Sequence, residues 1–257
     1  MKPHLTFSSG SLPFLLLLCS CSHYAYMPNM HQVPLLREKG EVRVAVCNSS
    51  EDMGNSEVTG MELQFSGAIT DHWGLMLNLA SYASRHGDGT GRFAELGAGR
   101  FRKLDPHWTL EWYAGVGRGA SNYDSQTLNL WRLFAQPSIG YASRNFDIAF
   151  TTRFVLVDHD LPSFPTYSPL GITESVADLV HYFGKARGMV EPGFLMRLGG
   201  RAVKLQIQYV HSINLGRELY MLENNVSLGL QFNFNNSFLP RWKKTLPDQR
   251  RAPVPAR

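Results

Sequence analysis

The sequence predicts an all-β protein: a transmembrane up-and-down antiparallel β-barrel of about ten strands, with N- and C-termini periplasmic. Three observations carry that prediction. Apolar and polar residues alternate with period two in runs of about ten residues, the length a tilted strand needs to cross a bilayer. Short and long connections alternate between the runs, as turns on one side of a membrane and loops on the other do. Mean hydropathy is −0.19, and no long apolar run follows the N-terminal stretch. That argues against transmembrane helices but not against alternating strands. The 23 glycines, 12% aromatic and 18% charged residues suit close-packed strands better than a helical enzyme. A soluble β-sandwich also alternates. It would need neither strands this long nor large apolar residues such as Phe146, Phe150 and Phe154 on one face.

The chain begins with Lys2, an apolar stretch over residues 12–18, and then Cys19-Ser20-Cys21. A positive start, a short apolar core and a small residue before a cleavage point make a secretory signal peptide, residues 1–20. The core is too short to span a bilayer as a helix. Leu18-Cys19-Ser20-Cys21 also has the form of a bacterial lipobox, which makes Cys21 the lipidation site. Cys19 is the poorer candidate, because Leu18 would then sit at the cleavage position. Acylation of Cys21 leaves Cys47 as a lone thiol. Residues 21–40 read as a periplasmic linker, since Pro28 and Pro34 disfavour regular structure.

The barrel is expected over residues 41–236. Val42, Val44 and Val46 alternate with Arg43, Ala45 and Cys47. Met61, Leu63, Phe65 and Ile69 alternate with Glu62, Gln64, Ser66 and Thr70; Leu75, Leu77 and Leu79 alternate with Met76, Asn78 and Ala80. Leu96 and Ala98 oppose Glu95, and Trp108, Leu110, Trp112, Ala114 and Val116 oppose Thr109, Glu111, Tyr113 and Gly115. Leu133, Ala135, Ile139 and Tyr141 oppose Arg132, Gln136 and Ser138. Phe146, Ile148, Phe150, Phe154 and Leu156 oppose Asp147, Thr151 and Arg153. Val190, Phe194, Met196 and Leu198 oppose Glu191 and Arg197, and Val203, Leu205, Ile207 and Tyr209 oppose Lys204, Gln206 and Gln208. The last run sets Val226, Leu228, Leu230, Phe232 and Phe234 against Ser227, Gly229, Gln231 and Asn233. Pro137 and Pro192 fall inside strands and point to bulges, since each lacks a ladder N–H.

The short connections are residues 71–74, 103–107, 143–145 and 199–201; the long ones are 48–60, 85–91, 119–129, 158–188 and 213–224. Short turns belong in the periplasm and long loops outside. Trp73, Trp108 and Tyr141 then mark the periplasmic rim, and Tyr82, Tyr123 and Trp131 the outer one.

The lipobox, Tyr26-Met27-Pro28-Asn29, Val33-Pro34-Leu35-Leu36, Glu38-Lys39-Gly40-Glu41 and residues 60–76 with the Thr70-Asp71-His72-Trp73-Gly74 turn together resemble a family of Bacteroidetes outer-membrane β-barrel proteins. The similarity covers the first third of the mature chain. That family has no activity to carry over, so the resemblance implies class and location alone. The C-terminus departs from outer-membrane barrels, which end on an aromatic strand. Here Phe232 and Phe234 are followed by a further tail.

The inward face is expected to carry Arg43, Glu62, Glu95, Glu111, Arg132, Asp147, Arg153, Glu191, Arg197 and Lys204. Acids and bases balance, as a lumen filled by paired charges requires, and a barrel this small can be filled by side chains. A narrow small-solute channel lined by these groups is the alternative. Asp158-His159-Asp160 opens the longest loop, and acid–His pairs can activate water. Neighbours on an extended chain point to opposite sides, however, and no second acidic pair accompanies them. His86, His181 and His211 lack ligand spacing and read as loop residues. Ser175 and Asp178 can cap a short amphipathic helix carrying Val176, Leu179, Val180 and Phe183, ended by Gly184 and Lys185.

The basic Pro-rich tail, residues 237–257, sets Arg241, Lys243, Lys244, Arg250, Arg251 and Arg257 against Asp248. Such a composition predicts disorder, with a peptidoglycan contact as its candidate partner. The lipids of the outer membrane are the other partner, and no basic stripe suits nucleic acid. No catalytic set, cofactor or metal site emerges. The expected protein is a non-enzymatic outer-membrane lipoprotein barrel with a structural or interaction role; a surface enzyme is the least favoured reading.

Overall fold

A computed structural model describes residues 26–53, 56–84, 89–123, 126–160, 186–216 and 221–234. The signal peptide, Cys21, Tyr123's side chain, the helix expected near residue 180, His86, His181 and the basic tail lie outside the described residues.

Strand follows strand in chain order: β1 (Val42–Met53), β2 (Ser56–Ala68), β3 (Trp73–Ser84), β4 (Gly89–Lys103), β5 (Trp108–Tyr123), β6 (Gln126–Ala142), β7 (Phe146–Asp160), β8 (Arg187–Gly199), β9 (Val203–His211), β10 (Ile213–Asn214) and β11 (Asn224–Phe234). Every neighbouring pair is antiparallel, β11 returns to β1 and to β9, and the β8–β9 ladder completes the circle. The two-residue β10 pairs with β8 in the register of β9 and continues it beyond Ser212. The result is a closed antiparallel barrel of 10 strands. Closure leaves no strand edge, the condition for a sheet to stand in a bilayer.

The period-two pattern sets the faces. Val46, Phe65, Leu75, Leu96, Trp112, Leu133, Phe150, Leu205 and Leu228 all point outward and are exposed around the whole circumference. An apolar belt of that extent outside a polar interior is the arrangement of a transmembrane barrel and would not suit water. Trp73 and Trp108 stand on the belt at the short-turn rim, where Trp108 packs edge-on to Tyr141 at 5.8 Å. Trp131 points outward at the other rim. Tyr82 does not belong to that rim girdle: its hydroxyl donates inward to Glu62 at 3.0 Å.

Two expectations about the long connections change. Residues 48–60 and 119–129 are mostly strand. β1 and β2 stay paired from Val42 to Met53, and β5 and β6 pair out to Tyr123 and Gln126. The apolar alternation stops at the membrane edge, but ladder hydrogen bonds do not depend on apolar side chains and the hairpins run on past it. With 17 residues, β6 far exceeds the 9–11 or so that span a bilayer, so the barrel wall projects beyond the belt at that end.

Neither proline marks a bulge. Ala135 pairs with Phe154 and Ser138 with Thr151 in one register, so Pro137 interrupts the β6–β7 ladder without shifting it. Pro192 sits opposite Thr152 on one side, and on the other it falls between the Gly193–Val210 and Val190–Ile213 pairs, which share one register. The missing N–H costs a rung each time, and the chain keeps its count.

Candidate functional site

The largest departure from expectation lies inside the barrel. The sequence reads residues 21–40 as a periplasmic linker, of which residues 26–40 are described. They occupy the lumen instead, running from the long-loop rim, where Tyr26 bridges to Met221, to the short-turn rim, where Glu41 leads into β1. Met30, Val33, Leu35 and Leu36 are fully buried, as are Asn29, His31 and Gln32. The prolines do exclude regular structure here. Without a ladder of its own, the segment must find partners for its backbone among the wall side chains.

It finds them along most of its length. Its carbonyls accept from side-chain amides and a guanidinium on the inward face. Pro28 O accepts from Asn225 (2.7 Å), Met30 O from Gln64 (3.4 Å), His31 O from Gln208 (3.0 Å), Gln32 O from Gln136 (2.8 Å) and Val33 O from Arg197 (2.8 Å). Its amides donate to carboxylates. Met30 N reaches both oxygens of Glu62 at 2.9 and 3.2 Å. Leu35 N and Leu36 N share Glu111, at 3.1 and 2.9 Å. Leu35 has a φ of +53°, uncommon for a residue with a branched side chain. That left-handed turn aims two successive N–H groups at one carboxylate, as in an anion-binding nest. Gly40, with φ of +83°, makes the reversal from lumen to β1, a conformation glycine adopts without penalty.

The wall also makes room for the segment's side chains. A Cβ on Gly74 would lie 2.8 Å from Leu36 Cδ1, one on Gly140 2.6 Å from Leu35 Cδ2, and one on Gly193 2.9 Å from His31 Nδ1. These inward positions carry no side chain, and the segment's side chains take the space. Each of Met30, Val33, Leu35 and Leu36 removed from water contributes about 1.5–3 kcal/mol.

The ten sequence-selected charges fall into distinct groups. Nine are buried on the inward face, and Arg43 is partly so, near the short-turn rim. Glu95 lies between two guanidinium groups. Arg132 Nε donates to it at 3.0 Å, with a second, shorter bond from Arg132 Nη2, and Arg153 Nη1 stands 3.4 Å away. Arg153 also donates twice to Gln136 Oε1, at 3.0 and 2.7 Å. Both arginines reach Asn29 Oδ1 of the lumen segment. Arg132 further donates to the Tyr26 hydroxyl at 2.7 Å and lies over the Phe93 ring, 4.3 Å from its centroid. Asp147 serves as the second two-cation centre, binding Lys204 Nζ with Arg197 Nη1 at 4.0 Å. Glu191 accepts from Tyr26 (2.6 Å) and Ser212 (3.3 Å), and His31 Nε2 lies 3.5 Å away. Arg43 donates to Asn233 at 2.6 Å and pairs with Glu41 at 3.2 Å.

Glu62 and Glu111 follow a different rule. Their hydrogen bonds come from amides and a hydroxyl, and the lumen segment supplies the backbone ones. The lumen is thus occupied by a chain segment, with charge pairs set around it, rather than by paired charges alone. Alternation sets Gln64, Gln136 and Gln208 on the face of the charges but gives them no role, and it leaves Asn225 out. The available signal was their number: amide side chains aligned inward have no charge to neutralise, but each suits a peptide group.

Between Gln32, Val33, Pro34 and the wall residues Arg43, Gln64 and Gln231 the free space is about 10 Å³, at the lower limit for a single water. A larger concavity, about 500 Å³, is lined by Leu77, Leu96, Val116 and Trp131 of the outward, lipid-facing side. His159 points inward and is buried, while Asp158 and Asp160 fall on the other face of β7. The triplet therefore does not converge. His211 hydrogen-bonds Asn224 at 3.0 Å. Among the described residues, no group of three or more His, Cys, Asp or Glu could hold a metal ion.

No family model matches the chain, and no curated protein matches it in sequence. Solved structures similar in architecture include the translocator domain of the autotransporter NalP from Neisseria meningitidis, with a TM-score of 0.47 and 9% identity over 77% of this chain and 89% of that one. The transport unit of the autotransporter AIDA-I from Escherichia coli gives a TM-score of 0.44 and 10% identity over 80% and 93%. Ail, the attachment invasion locus protein of Yersinia pestis, gives 0.32 and 11% over 76% and 99%. At such scores the likeness says nothing of activity or partner.

Proposed function

We propose that this chain is a bacterial outer-membrane barrel closed by its own N-terminal segment, with a structural or interaction role rather than a transport one. The observation that carries the reading is the occupied lumen: residues 26–41 are bonded to the wall along most of their length, and the space left beside Gln32, Val33 and Pro34 is near 10 Å³. The outward apolar belt and closed topology favour the outer membrane, where closed barrels stand. Short turns in the periplasm and long loops outside, acylation of Cys21 and a tail close to peptidoglycan belong to the same reading. So does a Bacteroidetes origin, which rests on the sequence segments between Tyr26 and Met76. A non-enzymatic role belongs to the same reading.

The test is electrical. Purified full-length protein in a planar bilayer should insert without a steady ionic conductance. A stable, ion-selective conductance from the unmodified chain would favour a narrow solute channel and refute the closed barrel. Incorporation of labelled fatty acid into wild type but not Cys21→Ala tests the anchor separately.

A further inference from the structure

We propose that the chain ahead of Tyr26 emerges on the cell surface, so that an acylated Cys21 inserts in the outer leaflet rather than the inner one. The proposal rests on the outer-membrane orientation and the lipid anchor given above, and it reverses the inner-leaflet placement that a periplasmic linker would imply. β1 begins and β11 ends at the short-turn rim, where Val42 pairs with Phe234 and Gly67. Residues 26–41 do not continue outward from that rim. They turn at Gly40 and cross the lumen, and Tyr26 reaches the opposite end. There its carbonyl accepts from Leu222 N at 3.0 Å and its hydroxyl meets Glu191 and Arg132. Arg132 lies next to Trp131, at the long-loop edge of the apolar belt.

Chain length decides the rest. Cys21 precedes Tyr26 by five residues, which extend at most about 16–18 Å. The apolar band of an outer-membrane barrel is about 25 Å tall. The lumen route back is filled by the segment itself, and the outer surface of the wall is in lipid. An acyl group on Cys21 can therefore reach only the leaflet at the long-loop rim. With long loops outside, that leaflet is the outer one, and the chemistry that receives the anchor is its lipid surface. The segment's wall contacts fasten the anchor to the barrel.

Single cysteines probed on intact cells with a membrane-impermeant maleimide test this. Cys47 is buried at 1% and gives little background, and acylation leaves Cys21 unreactive. Leu215→Cys, exposed at the long-loop rim, reports the outside; Leu104→Cys, exposed in the turn between β4 and β5, reports the periplasm. His23→Cys, with Ala25→Cys as a second variant, should label on intact cells together with Leu215→Cys, while Leu104→Cys labels only after permeabilisation. Labelling of both N-terminal variants only after permeabilisation overturns the proposal, whatever Leu215→Cys reports. The closed-barrel reading fails instead by conductance, so the two failures are distinguishable.

Discussion

Glu95 and Glu111 are both buried carboxylates on the inner wall, yet they are held in opposite ways. Glu95 on β4 is neutralised by Arg132 on β6 and Arg153 on β7, two and three strands along the wall, whereas Glu111 accepts the Leu35 and Leu36 amides of the lumen segment. A charge paired within the wall stabilises the barrel itself. A charge that needs the segment ties the barrel to its contents. The lumen uses both kinds, so fold stability and closure should be separable by mutation.

Glu95→Ala should have the largest effect. It leaves two buried guanidinium groups facing each other, and breaking a buried pair from one side costs about 3–5 kcal/mol. Loss of the heat-modifiable, fast-migrating band on unboiled gels should move to clearly lower temperature. Arg153→Ala should cost less, about 1.5–3 kcal/mol, the range for hydrogen bonds to charged groups, because Glu95 keeps Arg132. Equal melting shifts for the two variants would show that Arg132 does not carry the pair.

Glu111→Gln should change melting by only about 1 kcal/mol, since an acceptor remains for one of the two amides. Its effect should appear in the segment, as faster amide exchange at Leu35 and Leu36 or intermittent conductance. A large melting shift with unchanged exchange would break the distinction between wall-held and segment-held charges.

The smallest effect is expected outside the membrane. Asp105, in the turn between β4 and β5, accepts the N–H groups of Trp108 (2.7 Å) and His107 (2.6 Å). These bonds, that from Trp108 foremost, hold its carboxyl below the usual aspartate value. A depressed value means the stabilisation is present above the unfolded value of about 3.9. It is lost as pH falls through the folded one. The small melting difference between wild type and Asp105→Ala should therefore exist at neutral pH and vanish in strong acid. A difference that persists there would assign the turn's stability to something other than the ionised carboxyl.

The barrel wall was legible because strand faces obey a local rule: Val42, Val44 and Val46 read outward and Ala45 and Cys47 inward from alternation alone. The hairpin tips were misread for a physical reason. Asn48, Ser49 and Ser50 carry no apolar alternation, yet their backbones pair in register with residues 59–61 and 226–228. The lumen segment was not legible as a plug. Its prolines and lack of period forbid helix and strand, a pattern shared by solvated linkers and by chains held through side chains. What separates the two is a partner surface built from residues far away in sequence, such as Gln136 and Gln208. The ten charged positions were visible as inward-facing, but their partners were not, because pairing depends on strand stagger and on the segment.

The central claim is that residues 26–41 are fixed within the barrel. Amide hydrogen exchange of the folded full-length protein, followed on peptides covering residues 29–37, measures this directly, since exchange reports local opening. Protection comparable to that of β5 and β6, concentrated at Met30, Leu35 and Leu36, is the result expected. Exchange at the rate of an unstructured peptide, with the strands still protected, would contradict it.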